Sequence, residues 1–84
     1  MYLIHVSPTV ASYKSIRFMI RTNDHPPPHV HAVKDDCEAV VEIQTGTVIR
    51  SHGFSQKDVA RIVKEVLATK DLLQEEWDAI HEQK

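Results

Sequence analysis

Apolar and polar residues alternate with period two where Ile16, Phe18 and Ile20 interleave with Arg17, Met19 and Arg21. This pattern predicts a half-buried strand with its apolar side on a core and both arginines facing out. Asn23 and Asp24 punctuate it, and Pro26-Pro27-Pro28 forces an extended segment without backbone donors. Two short runs rich in β-branched residues follow, His29 to Lys34 and Cys37 to Ile43, joined by Asp35-Asp36. A two-residue hairpin loop sets Lys34 against Cys37, pairs Ala32 with Ala39 and Val30 with Val41 on the core side, and leaves Val33/Glu38, His31/Val40 and His29/Glu42 on the other. Thr45-Gly46 leads into a further strand, Thr47 to Ser51. A tight turn there would place Val48 in the core beside Ile43 but Arg50 beside Val41, so a bulge or a longer loop is expected.

The period then changes. Ser55 followed by Asp58 reads as a near-capping box, and Val59, Ile62, Val63, Val66 and Leu67 form a stripe at helical spacing. Asp71 opens a second helix whose apolar side carries Leu72, Leu73, Trp77 and Ile80. The expected fold class is α+β: an antiparallel meander of three to four strands followed by two C-terminal helices packed on one face. Residues 8–84 form the domain and residues 1–7 an extension.

A chain of 84 residues buries about 63% of its unfolded surface. That core is small enough for self-association or a partner to matter. No apolar run approaches the length of a membrane span, and a single cysteine allows neither an internal disulfide nor a four-cysteine zinc site, which suits a cytoplasmic location. Cys37 falls on the inward face and is read as core. The net charge of −2 conceals an asymmetry: residues 1–34 carry four cations against Asp24, and the remainder carries six cations against eleven anions. A basic N-terminal surface suits an anionic ligand, and an acidic remainder suits a protein partner.

The segment from Asn23 to His31 holds three histidines, one aspartate and three prolines. His29 and His31, two apart on a strand, project to one face about 6.6 Å apart, the face of Arg17, Arg21 and Glu42. One reading is acid-base work on a phosphodiester, with His25, His29 and His31 exchanging protons beside Asp24, Arg17 and Arg21 binding phosphate, and Glu42 orienting His29. With 6% aromatics the sheet lacks a stacking platform for bases, so contact would fall on the nucleic-acid backbone. A second reading is a divalent metal such as zinc held by His29 and His31, completed by Asp24, His25, Glu42 or His52. His25 lies about 12 Å from His29 if the prolines are extended, and joins only if the segment bends, for example through a cis proline. A purely structural account is also open, in which Asp24 caps a turn and the histidines bond to the backbone. His5 and His81 are expected in solvent, His52 in a turn and Trp77 in the core.

The string Asn23-Asp24-His25-Pro26-Pro27-Pro28-His29-Val30-His31 resembles the signature of a small bacterial family of unknown function with an Asn-Asp-His-x-Pro-Pro-His-x-His core. The similarity runs from Pro8-Thr9-Val10 through Glu38-Ala39 and Gly53-Phe54-Ser55 to Trp77. The resemblance implies a candidate toxin-antitoxin component paired with a small cognate protein encoded nearby. It leads to an expected toxin-like role on RNA through the motif histidines. The alternative is a non-catalytic metal-binding or partner-stabilising module built on His29 and His31.

Overall fold

The computed structural model describes residues 9–81; the extension at residues 1–7 and His5 lie outside them. Five strands, β1 (Thr9–Tyr13), β2 (Ile16–Met19), β3 (His29–Lys34), β4 (Cys37–Glu42) and β5 (Val48–His52), precede helices α1 (Gln56–Ala68) and α2 (Lys70–His81). The strands lie in sequence order in one antiparallel sheet. The fold is the expected α+β meander with two C-terminal helices, enlarged by β1. Lys14 and Ser15 join β1 to β2 at φ 49° and 69°, left-handed backbone that a hairpin normally gives to Asn or Gly. The turn therefore carries no recognisable hairpin signal in the sequence.

The hairpin of β3 and β4 has the register that alternation dictates, from Lys34 opposite Cys37 to His29 opposite Glu42. Asp35 supplies the left-handed position of its loop at φ 53°. Between β4 and β5 the register shifts at Val40/Val41, which moves Arg50 opposite Val40 and out of the core. The expected bulge thus resolves the conflict between Arg50 and Val41.

Ile16, Phe18, Ile20, Val30, Ala32, Ala39, Val41 and Ile43 cluster with Ile62 and Val66 of α1 and Leu73 and Trp77 of α2. Ser55 caps α1 by accepting the Asp58 N–H at 3.1 Å. Thr69 alone separates the helices; its N–H and hydroxyl both donate to the Glu65 carbonyl oxygen. Three core expectations fail at the rim, those for Leu67, Leu72 and Cys37, and the edge strand also stays outside the core. Val48 is 37% exposed, because every residue of the edge strand β5 is solvent-facing, and Leu67 and Leu72 are 39% and 47% exposed. Cys37 is half-buried rather than core, since it stands at the hairpin tip against Gly53. Among the described residues no helix is long and apolar enough to cross a membrane.

Gly53 joins β5 to α1 at φ +89°, and a Cβ there would stand 2.9 Å from Cys37 Sγ and 3.2 Å from Cys37 Cα. Gly53→Ala should cost about 1–3 kcal/mol through the backbone conformation alone, read as a lower urea midpoint. Adding Cys37→Ala should recover only a minor part, because the substitution frees space without changing φ. Full recovery would mean that the contact, not the backbone, sets the cost.

Candidate metal centre

The segment between β2 and β3 folds back over the outer face of the sheet. Asp24 N–H donates to the Arg21 carbonyl oxygen at 3.2 Å, and Arg21 N–H donates to Asp24 Oδ2 at 3.2 Å. Asp24 is thus the residue that closes the turn, as an aspartate favours. The Pro26-Pro27 bond is cis. Pro28 rejoins the sheet by accepting the Ile43 N–H at 3.0 Å, which fixes the start of β3.

On β3, Val30 and Ala32 point to the helices, so His29 and His31 occupy the opposite side of the strand. The expected face is right, but the expected exposure is not: the His31 side chain is 4% exposed, His29 12% and Asp24 13%. His31 Nδ1 meets Glu38 Oε2 at 2.9 Å and its Nε2 meets Asp24 Oδ2 at 3.0 Å. His29 Nδ1 donates to the Pro27 carbonyl oxygen at 2.8 Å, and its Nε2 lies 3.4 Å from the same Asp24 oxygen. The two imidazoles meet edge to face with centroids 5.2 Å apart.

A carbonyl oxygen only accepts, so His29 Nδ1 carries a proton and its Nε2 is the nitrogen that faces Asp24. His31 has a carboxylate acceptor at each ring nitrogen, Glu38 at Nδ1 and Asp24 at Nε2. A metal ion held by Asp24 and both Nε2 atoms would leave the His31 proton on Nδ1, toward Glu38. One ligand atom from each of Asp24, His29 and His31 lies within 4.8 Å of the others. Bonds of about 2.0–2.1 Å in a tetrahedral site place ligand atoms about 3.3 Å apart, beside the 3.0 and 3.4 Å found at Asp24 Oδ2.

Glu38 anchors the far side of His31. Its carboxyl is held below the usual range, chiefly by the His31 hydrogen bond, with the charges of His31, Arg50 and Arg21 adding and partial burial opposing. Arg21 Nη2 stands 3.8 Å from Glu38 Oε2, and Arg50 Nη2 3.8 Å from Oε1.

Other expected residues stand apart. His25 is exposed and outside the convergent group, although the segment has a cis bond at Pro26-Pro27. Arg17 is exposed, two positions along β2 from Met19, the neighbour of His31. Glu42 faces His29 in the ladder, yet its Oε1 accepts the Thr45 hydroxyl at 2.9 Å and Pro27 takes the His29 proton instead. His52 is exposed on β5 rather than in a turn. His81 is not in open solvent: its ring stacks on Trp77 with centroids 3.8 Å apart, and its Nδ1 meets the Trp77 carbonyl oxygen at 3.0 Å. Trp77 in turn lies 5.3 Å from the His29 ring, a contact beyond its expected core role.

Sequence reasoning missed Glu38 as the orienting group. The signal was available in the hairpin ladder, where Glu38 is two positions from Val40, the direct partner of His31, and so within diagonal reach.

Neither the curated proteins nor the solved structures contain a match to this chain. Residues 15–78 match a family described as a domain of unknown function, and the matched region includes every side chain of this cluster. The chain belongs to the DUF4160 family.

Proposed function

We propose that this domain binds one divalent transition-metal ion through Asp24 Oδ2 and the Nε2 atoms of His29 and His31. The observation that carries the reading is the pairing of Nδ1 in each histidine with a separate acceptor, Pro27 or Glu38, while both Nε2 atoms point to one carboxylate oxygen. Acceptors behind the ring fix the tautomer and make the facing nitrogen a better ligand. Two imidazoles and one carboxylate suit zinc and neighbouring first-row ions better than calcium or magnesium, which favour all-oxygen sites. Three protein ligands leave a coordination position for water or a small ligand.

The RNA-directed, toxin-like reading of the same histidines has weaker support. Both ring nitrogens of His31 already face carboxylates in a nearly closed environment, Arg17 is elsewhere on the sheet and His25 does not converge. RNA cleavage that persists after chelation and requires His25 would displace the metal reading. The role of a cognate protein partner rests on the family resemblance.

Isothermal titration with zinc should give one site per chain. Asp24→Asn and His29→Ala should weaken it severely, and Glu38→Gln should weaken it by about 10–100-fold. His25→Ala should leave it unchanged. Zinc at about 100 times Kd should stabilise the domain by about 2.7 kcal/mol, seen as a rise in Tm that chelation reverses. An unchanged Tm and no heat of binding would overturn the assignment.

Trp77, the single tryptophan, gives an optical readout because its ring lies 5.3 Å from His29. Titration with Cu2+ or Ni2+ should quench its fluorescence and saturate at one equivalent. Quenching that survives His29→Ala would place the ion elsewhere.

A further inference from the structure

Half of the lysines and arginines of the chain gather at the end of the sheet away from the histidine cluster. Two shallow depressions meet there. One, of about 280 Å³, lies beside Ile16 and takes Lys14, Lys34, Lys57 and Arg61 with Asp58 in its wall. The other, of about 500 Å³, takes Arg17, Lys34 and Asp35. Ile16 belongs to the core side of β2 and Arg17 to the outer side, so the depressions open on opposite faces of the sheet, and Lys34 lines both. All five cations are exposed. They outnumber the two aspartates there in a protein whose net charge is −2.

Lys57 and Arg61 are four apart on α1 and so lie on one side of the helix, with Asp58 of the first turn between them in sequence. Lys14 sits in the β1–β2 turn. The turn and the start of the helix thus bring their cations to the same end of the sheet.

We infer that this end of the sheet, formed by Lys14, Arg17, Lys34, Lys57 and Arg61, binds the phosphate backbone of nucleic acid. The cations spread around an edge instead of converging on one point, which suits a polymer of phosphates better than a single phosphate group. Among the described residues no aromatic side chain lines either depression, so the recognition is argued from the phosphate backbone and carries no base readout. An anionic membrane is the poorer partner: the exposed large apolar residues Val48, Ile49, Leu67 and Leu72 line neither depression, and a membrane-binding face combines cations with apolar anchors. The acidic remainder of the surface repels a polyanion and confines it to this edge.

The test is fluorescence anisotropy of the whole chain with a labelled single-stranded RNA of mixed sequence, about 16 nucleotides long, in EDTA so that the metal reading does not enter. Binding should weaken with salt along a log-log slope of about −2 to −3.5 for three to five phosphate contacts. Lys34→Gln with Lys57→Gln should lower affinity at least tenfold and flatten the slope by about 1.4. Leu72→Glu with Ala79→Glu makes the same change in net charge on α2, which lines neither depression, and should lower affinity less than threefold. Retention of the unfolding transition verifies that each variant is folded. Absence of RNA binding at 50 mM salt or below, equal losses in the two double variants, or stronger binding to phosphatidylglycerol vesicles than to RNA would each overturn the inference.

Discussion

The alternation of side chains along β3 is the constraint on which both the core and the histidine cluster depend. Val30 and Ala32 are completely buried beneath the helices, and His29 and His31 occupy the other side of the same strand. With β2 on one side and β4 on the other, β3 cannot slip by one residue without exchanging its apolar and imidazole faces. The hydrophobic effect therefore sets the position of the polar site, although no apolar residue is among its proposed ligands. Asp24 then turns the sheet face into an enclosed cluster: the same oxygen that accepts the Arg21 backbone N–H also faces both imidazoles.

Much of this organisation is legible in the order of residues. The hairpin of β3 and β4 follows from matching small and β-branched residues across Asp35-Asp36, and the bulge before β5 follows from the impossibility of burying Arg50. What escapes local reading depends on the third dimension. β1 was invisible because Lys14-Ser15 takes a glycine-like conformation without glycine. Burial of His31 depends on a loop folding over it, which periodicity does not encode. Glu42 looked like the orienting carboxylate because it lies directly opposite His29, whereas diagonal reach gives the actual contact to Glu38 and His31.

The two charged regions divide the length of the sheet between them. Asp24 and the histidines lie where β3 begins, with Glu38 reaching back along β4 to join them. Lys34, at the end of β3, stands among the cations of the β1–β2 turn and α1. One short strand thus carries a compact acid-imidazole cluster at its start and a diffuse cationic surface at its finish. The halves of the sequence differ in charge for a reason that net composition conceals: cations of the acidic half, Lys57 and Arg61, fold back to join those of the basic half.

Trp77 ties the last helix to this arrangement. Its indole stacks on the His81 ring at 3.8 Å and meets the His29 ring at 5.3 Å with the planes tilted by 53°, while also belonging to the hydrophobic cluster. Through these two contacts Trp77 links the motif to the final turn of α2. Tilting that helix would draw the indole away from His29, so the docking of the chain's last segment and the aim of an imidazole near its beginning are mechanically one adjustment.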